Sequence, residues 1–167
     1  MYEESEIIEL KQSTSELEAG VISISAILNK HHGGVLYFGI HPNGKVLGQG
    51  IGRNTLRDVS RAMTDHIEPR IYPKVEKVVL EGKTCIKVTF EGSELLYRAY
   101  GRAYIRVADE DKQMTAKEQE RRILEKHQGK HRWECEPSKR TIKDVNAATV
   151  REFVSKANLA GRLDYKF

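Results

Sequence analysis

Between Ser13 and His32 apolar side chains recur at Leu17, Val21, Ile24 and Leu28, the spacing that lines one face of a helix. Ser13-Thr-Ser-Glu16 and Ser15-Glu-Leu-Glu18 both have the form of a capping box, and Gly33-Gly34 stops the helix. The pattern then changes. Val35 to Ile40 is an unbroken apolar run of strand length, and Pro42-Asn-Gly-Lys45 reads as a turn into a second short strand through Val46 and Leu47. A helix from about Asn54 to Ile67 would bury Leu56, Val59, Met63 and Ile67, and Glu68-Pro69 and Pro73 end it. From Val75 to Phe90 the chain splits at Glu81-Gly82, a hairpin turn, with Ile86, Val88 and Phe90 alternating inward.

Another strand region runs from Leu95 to Val107. Thr115 to Gln128 forms a polar helix with few apolar anchors, so little of it can be deeply buried. After Gly129 the chain is polar and basic until Thr141, and Val150, Phe153, Val154 and Ala157 mark a last amphipathic helix. These elements predict an α+β fold: a mixed or antiparallel sheet with helices packed on it, plus a C-terminal helical extension. The expected division is a domain over 1–128 and a basic linker and helix over 129–167. Because Leu163-Asp-Tyr-Lys-Phe167 has no terminator, the natural protein is expected to continue into a further domain.

The 167 residues carry a net charge of +4, distributed unevenly. Residues 1–20 hold six glutamates against one lysine, whereas 121–140 hold seven Lys/Arg against three Glu, so the sign flips along the chain. A basic face of this kind attracts polyanions. No apolar run approaches the roughly 20 residues that cross a bilayer. The acidic start lacks the basic and apolar stretches of a secretory signal, so a cytoplasmic protein with reduced Cys85 and Cys135 is expected. His127, His131 and Cys135 lie close together, but no C-x-x-C pair accompanies them and a zinc site is not expected.

Two cationic patterns stand out. Arg53, Arg57 and Arg61 fall at i, i+4 and i+8, a row that can lie along a phosphate backbone or form a solvated face with Asp58 and Asp65. Arg98, Tyr100, Arg102, Tyr104 and Arg106 alternate strictly. An unbroken strand would present all five on one side as a platform for phosphates and unpaired bases, whereas a turn at Gly101 would send Arg98 and Arg106 apart. Gly48-Gln-Gly-Ile-Gly52 lacks the lysine of a phosphate loop. His31 and His32 at a helix C-terminus read as capping residues. Glu4 and Glu9, five apart with Lys11 two further on, can hold a cation or a phosphate, or simply line a solvated edge.

Glu4-Ser-Glu-Ile-Ile-Glu9-Leu-Lys11, then Ala26, Asn29 and Gly33-Gly34 leading into Val35-Leu-Tyr-Phe-Gly39, Asn43-Gly-Lys-Val-Leu-Gly48, and later Tyr104-Ile-Arg106-Val, resembles the Schlafen/AlbA-type DNA-binding domain over roughly residues 3–125. That domain stands at the N-terminus of many bacterial transcriptional regulators. The resemblance implies nucleic-acid binding, DNA ahead of RNA, often as a homodimer, and needs no cofactor. Ribonuclease members of the Schlafen branch combine two glutamates of an E-x-x-x-x-E-x-K motif with a third acid. By position Glu4 and Glu9 match the pair, with Lys11 beside them, and such a site would use Mg2+ or Mn2+. The third acid would fall near the turn after Gly39, where Ile40-His-Pro-Asn43 has no carboxylate. A dimerisation or interaction module is the remaining alternative.

Overall fold

The structure is a computed structural model that describes residues 2–94, 96–129, 144 and 146–162. The chain divides into two compact units, Met1–Gly129 and Lys130–Phe167.

The larger unit is built on two sheets. In the first, β2 (Gly33–Phe38) is central. It runs parallel to β1 (Ile8–Lys11) and antiparallel to β5 (Lys83–Glu91), which pairs with β4 (Lys74–Leu80) to give the order β1-β2-β5-β4. The β4–β5 hairpin turns at Glu81 and Gly82, both with positive φ, as the turn residues require. The expected strand through Val46 and Leu47 does not form. Gly39 turns the chain at φ 101°, and its carbonyl accepts from the amides of both Leu47 and Gly48, so only an isolated bridge joins Ile40 to Val46. β5 takes the edge of β2 that a local hairpin partner would have used.

The second sheet has the order β3-β6-β7-β8, from Ile67–Glu68, Arg98–Ala99, Arg102–Val107 and Glu110–Gln113. Helix α1 (Leu17–His31) packs against β2 of the first sheet and β7 of the second. Its start is a 3-10 turn at Thr14–Glu16, where the Ser13 hydroxyl accepts from the Ser15 amide and Glu16 reaches back to the Gln12 amide. Gly20 allows the close approach to β2, since a Cβ there would lie 3.0 Å from Leu36 and 3.2 Å from Phe38. Asn29, buried at the far end of α1, ties it to the second sheet. Its amide group donates to the carbonyls of Tyr97 (2.8 Å) and Tyr104 (2.7 Å), and its oxygen accepts from the Tyr97 amide (2.6 Å).

Val21, Ile24, Ile27 and Leu28 of α1, Leu36 and Phe38 of β2, and Ile86, Val88 and Phe90 of β5 form the main core. Helix α2 (Thr55–His66) closes it with Val59 and Met63. Helix α3 (Ala116–Gly129) is joined to the body by Arg122, whose Nη1 donates to the Asn29 carbonyl (2.5 Å). In the smaller unit α4 (Ala147–Leu159) is capped by the Asn146 side chain and buries Ala157. No helix among the described residues is long and apolar enough to cross a membrane.

Candidate nucleic-acid interface

The β1 register puts Glu9 opposite Leu36 and Lys11 opposite Phe38, so both point to the core side of the sheet, toward α1. Glu9 is 3% exposed. Its Oε1 pairs with Lys11 and its Oε2 lies 2.6 Å from Arg106 Nη2. Arg106, 1% exposed, donates through Nη1 to Asp111 Oδ1 (2.8 Å) and through Nη2 to the Ser5 carbonyl (3.2 Å). Asp111 Oδ2 accepts from the Ser23 hydroxyl (2.6 Å). A buried chain of alternating charge, Lys11–Glu9–Arg106–Asp111, therefore joins β1 of one sheet to β7 and β8 of the other and to α1. Burial alone would lower the Arg106 pKa, but the Asp111 hydrogen bond and the charges of Glu9 and Asp111 outweigh it and push it up.

Glu4 lies at the edge of this chain, accepting from the Leu10 amide (3.3 Å). Burial, and then the nearby Glu9 charge, raise its pKa, with the Leu10 hydrogen bond, Lys11 and Arg106 working against them. These groups do not fit a divalent cation. Glu9 is already ion-paired with Lys11 and Arg106, although its Oε2 accepts no hydrogen bond, Asp111 is held by Arg106 and Ser23, and a cation approaching Glu4 and Glu9 would meet two positive side chains. Among the described residues no three carboxylate, histidine or cysteine groups gather as metal ligands. The His127, His131 and Cys135 grouping lies outside the described side chains.

The alternating Arg/Tyr segment does not form one face. Tyr100 and Gly101 both take positive φ (51° and 76°) and turn the chain between β6 and β7, so the five residues fall on two strands and a turn. Arg106 is drawn inside by Glu9 and Asp111, and Tyr104 packs against the main core. Tyr100 stacks one ring face on His66 (centroids 4.6 Å, 27° between planes), and its amide donates to the His66 carbonyl (3.0 Å). Arg98 is half-buried opposite Ala103, and Arg102 stays exposed at the turn. The His66 contact seats that turn, with Arg102 beside it, against the last residue of α2.

Arg53, Arg57 and Arg61 are all exposed, Arg53 just ahead of α2 and the other two on it. None has a carboxylate within 4.0 Å among the described residues, Asp58 and Asp65 included. The loop between β3 and β4 lies along the same flank, because Thr64, three residues after Arg61 and seven after Arg57, donates its hydroxyl to the Ile71 carbonyl (3.4 Å). That loop carries exposed Arg70 and Tyr72. Sequence reasoning passed over both, since a segment bounded by Pro69 and Pro73 has no periodicity to read; the only signal was an arginine and a tyrosine set two apart around one apolar residue.

The crystal structure of the DIP2311 protein from Corynebacterium diphtheriae has a similar fold, with a TM-score of 0.56 and 14% identity over 95% of this chain, which spans 30% of that protein's length. The solution structure of the N-terminal domain of a RecG-related protein from Nitrosomonas europaea, titled for an ATP-dependent DNA helicase, aligns with 69% of this chain and 86% of its own at 19% identity and a TM-score of 0.46. No curated protein matches the sequence. The Schlafen, AlbA_2 family model matches residues 4–115, a stretch that contains the ion chain, both sheets and α2, and the chain belongs to that family.

Proposed function

We propose that the larger unit is a nucleic-acid-binding module that holds the phosphate backbone with Arg53, Arg57 and Arg61 and with Arg102 at the neighbouring turn. The observation that carries this reading is the row of exposed arginines with no carboxylate partner among the described residues. An arginine already paired with a carboxylate gives up that contact before it can engage phosphate; these side chains do not. Arg106, Tyr104 and Tyr100 drop out of the contact set and act in the fold instead. DNA rather than RNA, a place in a bacterial transcriptional regulator and a homodimer belong to the same proposal on the strength of family membership, and a cytoplasmic setting belongs to it because the acidic N-terminus lacks a secretory signal.

Binding of labelled duplex and single strands across a salt series tests this. Each phosphate neutralised contributes a slope of about −0.9 in log K against log salt on duplex DNA, so the Arg57→Ala/Arg61→Ala double variant is expected to flatten the slope by about 2. An unchanged slope would remove α2 from the interface.

A further inference from the structure

We propose that Tyr72, on a loop fastened to the flank of α2 that carries Arg57 and Arg61, is a stacking platform for an unpaired base, so that the strand this surface prefers is single-stranded. The proposal rests on the backbone-binding reading above and specifies which form of nucleic acid the surface takes.

Tyr72 is 83% exposed, yet the backbone that carries it is braced. Ile71, 4% exposed, anchors in the main core, and its carbonyl takes the Thr64 hydroxyl. Pro69 and Pro73 restrict the backbone on either side, Pro73 acting directly on Tyr72. With Ile71 pinned inward, the side chains of Arg70 and Tyr72 are both left in solvent. A tyrosine has only two side-chain torsions to immobilise, so a ring presented on such a loop loses little entropy when something stacks on it.

The surroundings identify what that would be. The bracing hydrogen bond comes from the flank of α2 that carries Arg57 and Arg61, so the loop bearing Arg70 and Tyr72 is fastened to the same flank as two exposed helix arginines. No hydrogen bond, ion pair or ring contact engages these four side chains among the described residues. A protein partner would call for a wider apolar patch, whereas one aromatic ring among guanidinium groups matches the alternation of base and phosphate along a strand. In a duplex the base faces are covered by their neighbours, so only an unpaired base can reach the ring. Tyr100 offers less, because His66 already covers one of its faces, whereas no ring contact engages Tyr72 among the described residues.

Fluorescence anisotropy with a labelled single-stranded oligonucleotide and a blunt duplex of the same sequence, at low and moderate salt, tests the proposal. Tyr72→Ala is expected to weaken single-strand binding about tenfold while leaving duplex binding nearly unchanged, and Tyr72→Phe, which keeps the ring, to bind like wild type. Because Tyr72 is exposed, all three proteins should melt together. Single-strand affinity that survives Tyr72→Ala but falls in Arg57→Ala overturns the stacking platform and leaves the backbone reading standing. Equal losses on duplex and single strand also overturn it. Wild-type protein that binds neither form at low salt overturns both readings.

Discussion

Replacing Glu9 by glutamine separates a structural carboxylate from a metal ligand. Glu9 sits between Lys11 and Arg106, and removing its charge leaves the fully buried guanidinium with Asp111 as its remaining ion-pair partner and the Lys11 ammonium with only the more distant Glu4 charge. Breaking a buried pair by neutralising one partner costs about 3 kcal/mol, because the other charge stays desolvated. For a unit the size of Met1–Gly129, each kcal/mol moves Tm by about 3–4 °C, which puts the expected fall near 10 °C. Asp111→Asn should cost a similar amount, since asparagine offers one acceptor oxygen for the two donors that Asp111 serves, Arg106 and the Ser23 hydroxyl, and the double variant should fall by less than the two single losses added together. Calorimetry on the three variants reads all of this. An unchanged or raised Tm in Glu9→Gln, with loss of a Mg2+- or Mn2+-dependent RNA cleavage that wild type performs, would refute the reasoning and make Glu9 a metal ligand.

Asn29→Ala removes the group that bonds the backbones at Tyr97 and Tyr104 and should cost about 3 kcal/mol, read as a lowered urea midpoint; a midpoint equal to wild type would mean that water replaces the amide fully. Glu4 has a folded-state pKa raised above the ordinary 4.5, so the folded protein holds the proton more tightly and stability is lost as pH rises from 4.5 through the raised value. Glu4→Gln, whose amide oxygen can still accept from Leu10, is therefore expected to be more stable than wild type at pH 7 and to lose that advantage below pH 4.5; a variant less stable at pH 7 contradicts the sign.

The sequence made elements legible where one periodicity ran uninterrupted. The apolar stripes of α1 and α2 and the Glu81-Gly82 hairpin each signal themselves within a dozen residues. Long-range pairing is invisible at that range. β2 has its neighbours in β1, which precedes a whole helix, and in β5, some fifty residues later, so the local Asn43-Gly44 turn pointed to a hairpin that does not form. β8 is Glu-Asp-Lys-Gln, with no apolar residue to mark it as a strand. Arg106 shows the same limit at the site: alternation put it on a surface, but its fate was decided by Glu9 and Asp111, one ninety-seven residues away and the other on an unforeseen strand. The resemblance to the Schlafen/AlbA-type domain rested on short strings in the right order, and most of them are backbone devices. Gly34 is one: a Cβ there would lie 2.6 Å from the Ile7 carbonyl oxygen.

We propose one flank of the larger unit, formed by α2, the loop after it and the β6–β7 turn, as the surface that meets a polyphosphate strand. Titrating isotope-labelled protein with a short single-stranded oligonucleotide and following its backbone amide resonances tests this most directly. The largest shifts are expected over residues 53–72 and at 100–102, fading as salt is raised. Shifts confined to the opposite face of the first sheet, at Val35, Tyr37, Lys87 and Thr89, or shifts indifferent to salt, would contradict it.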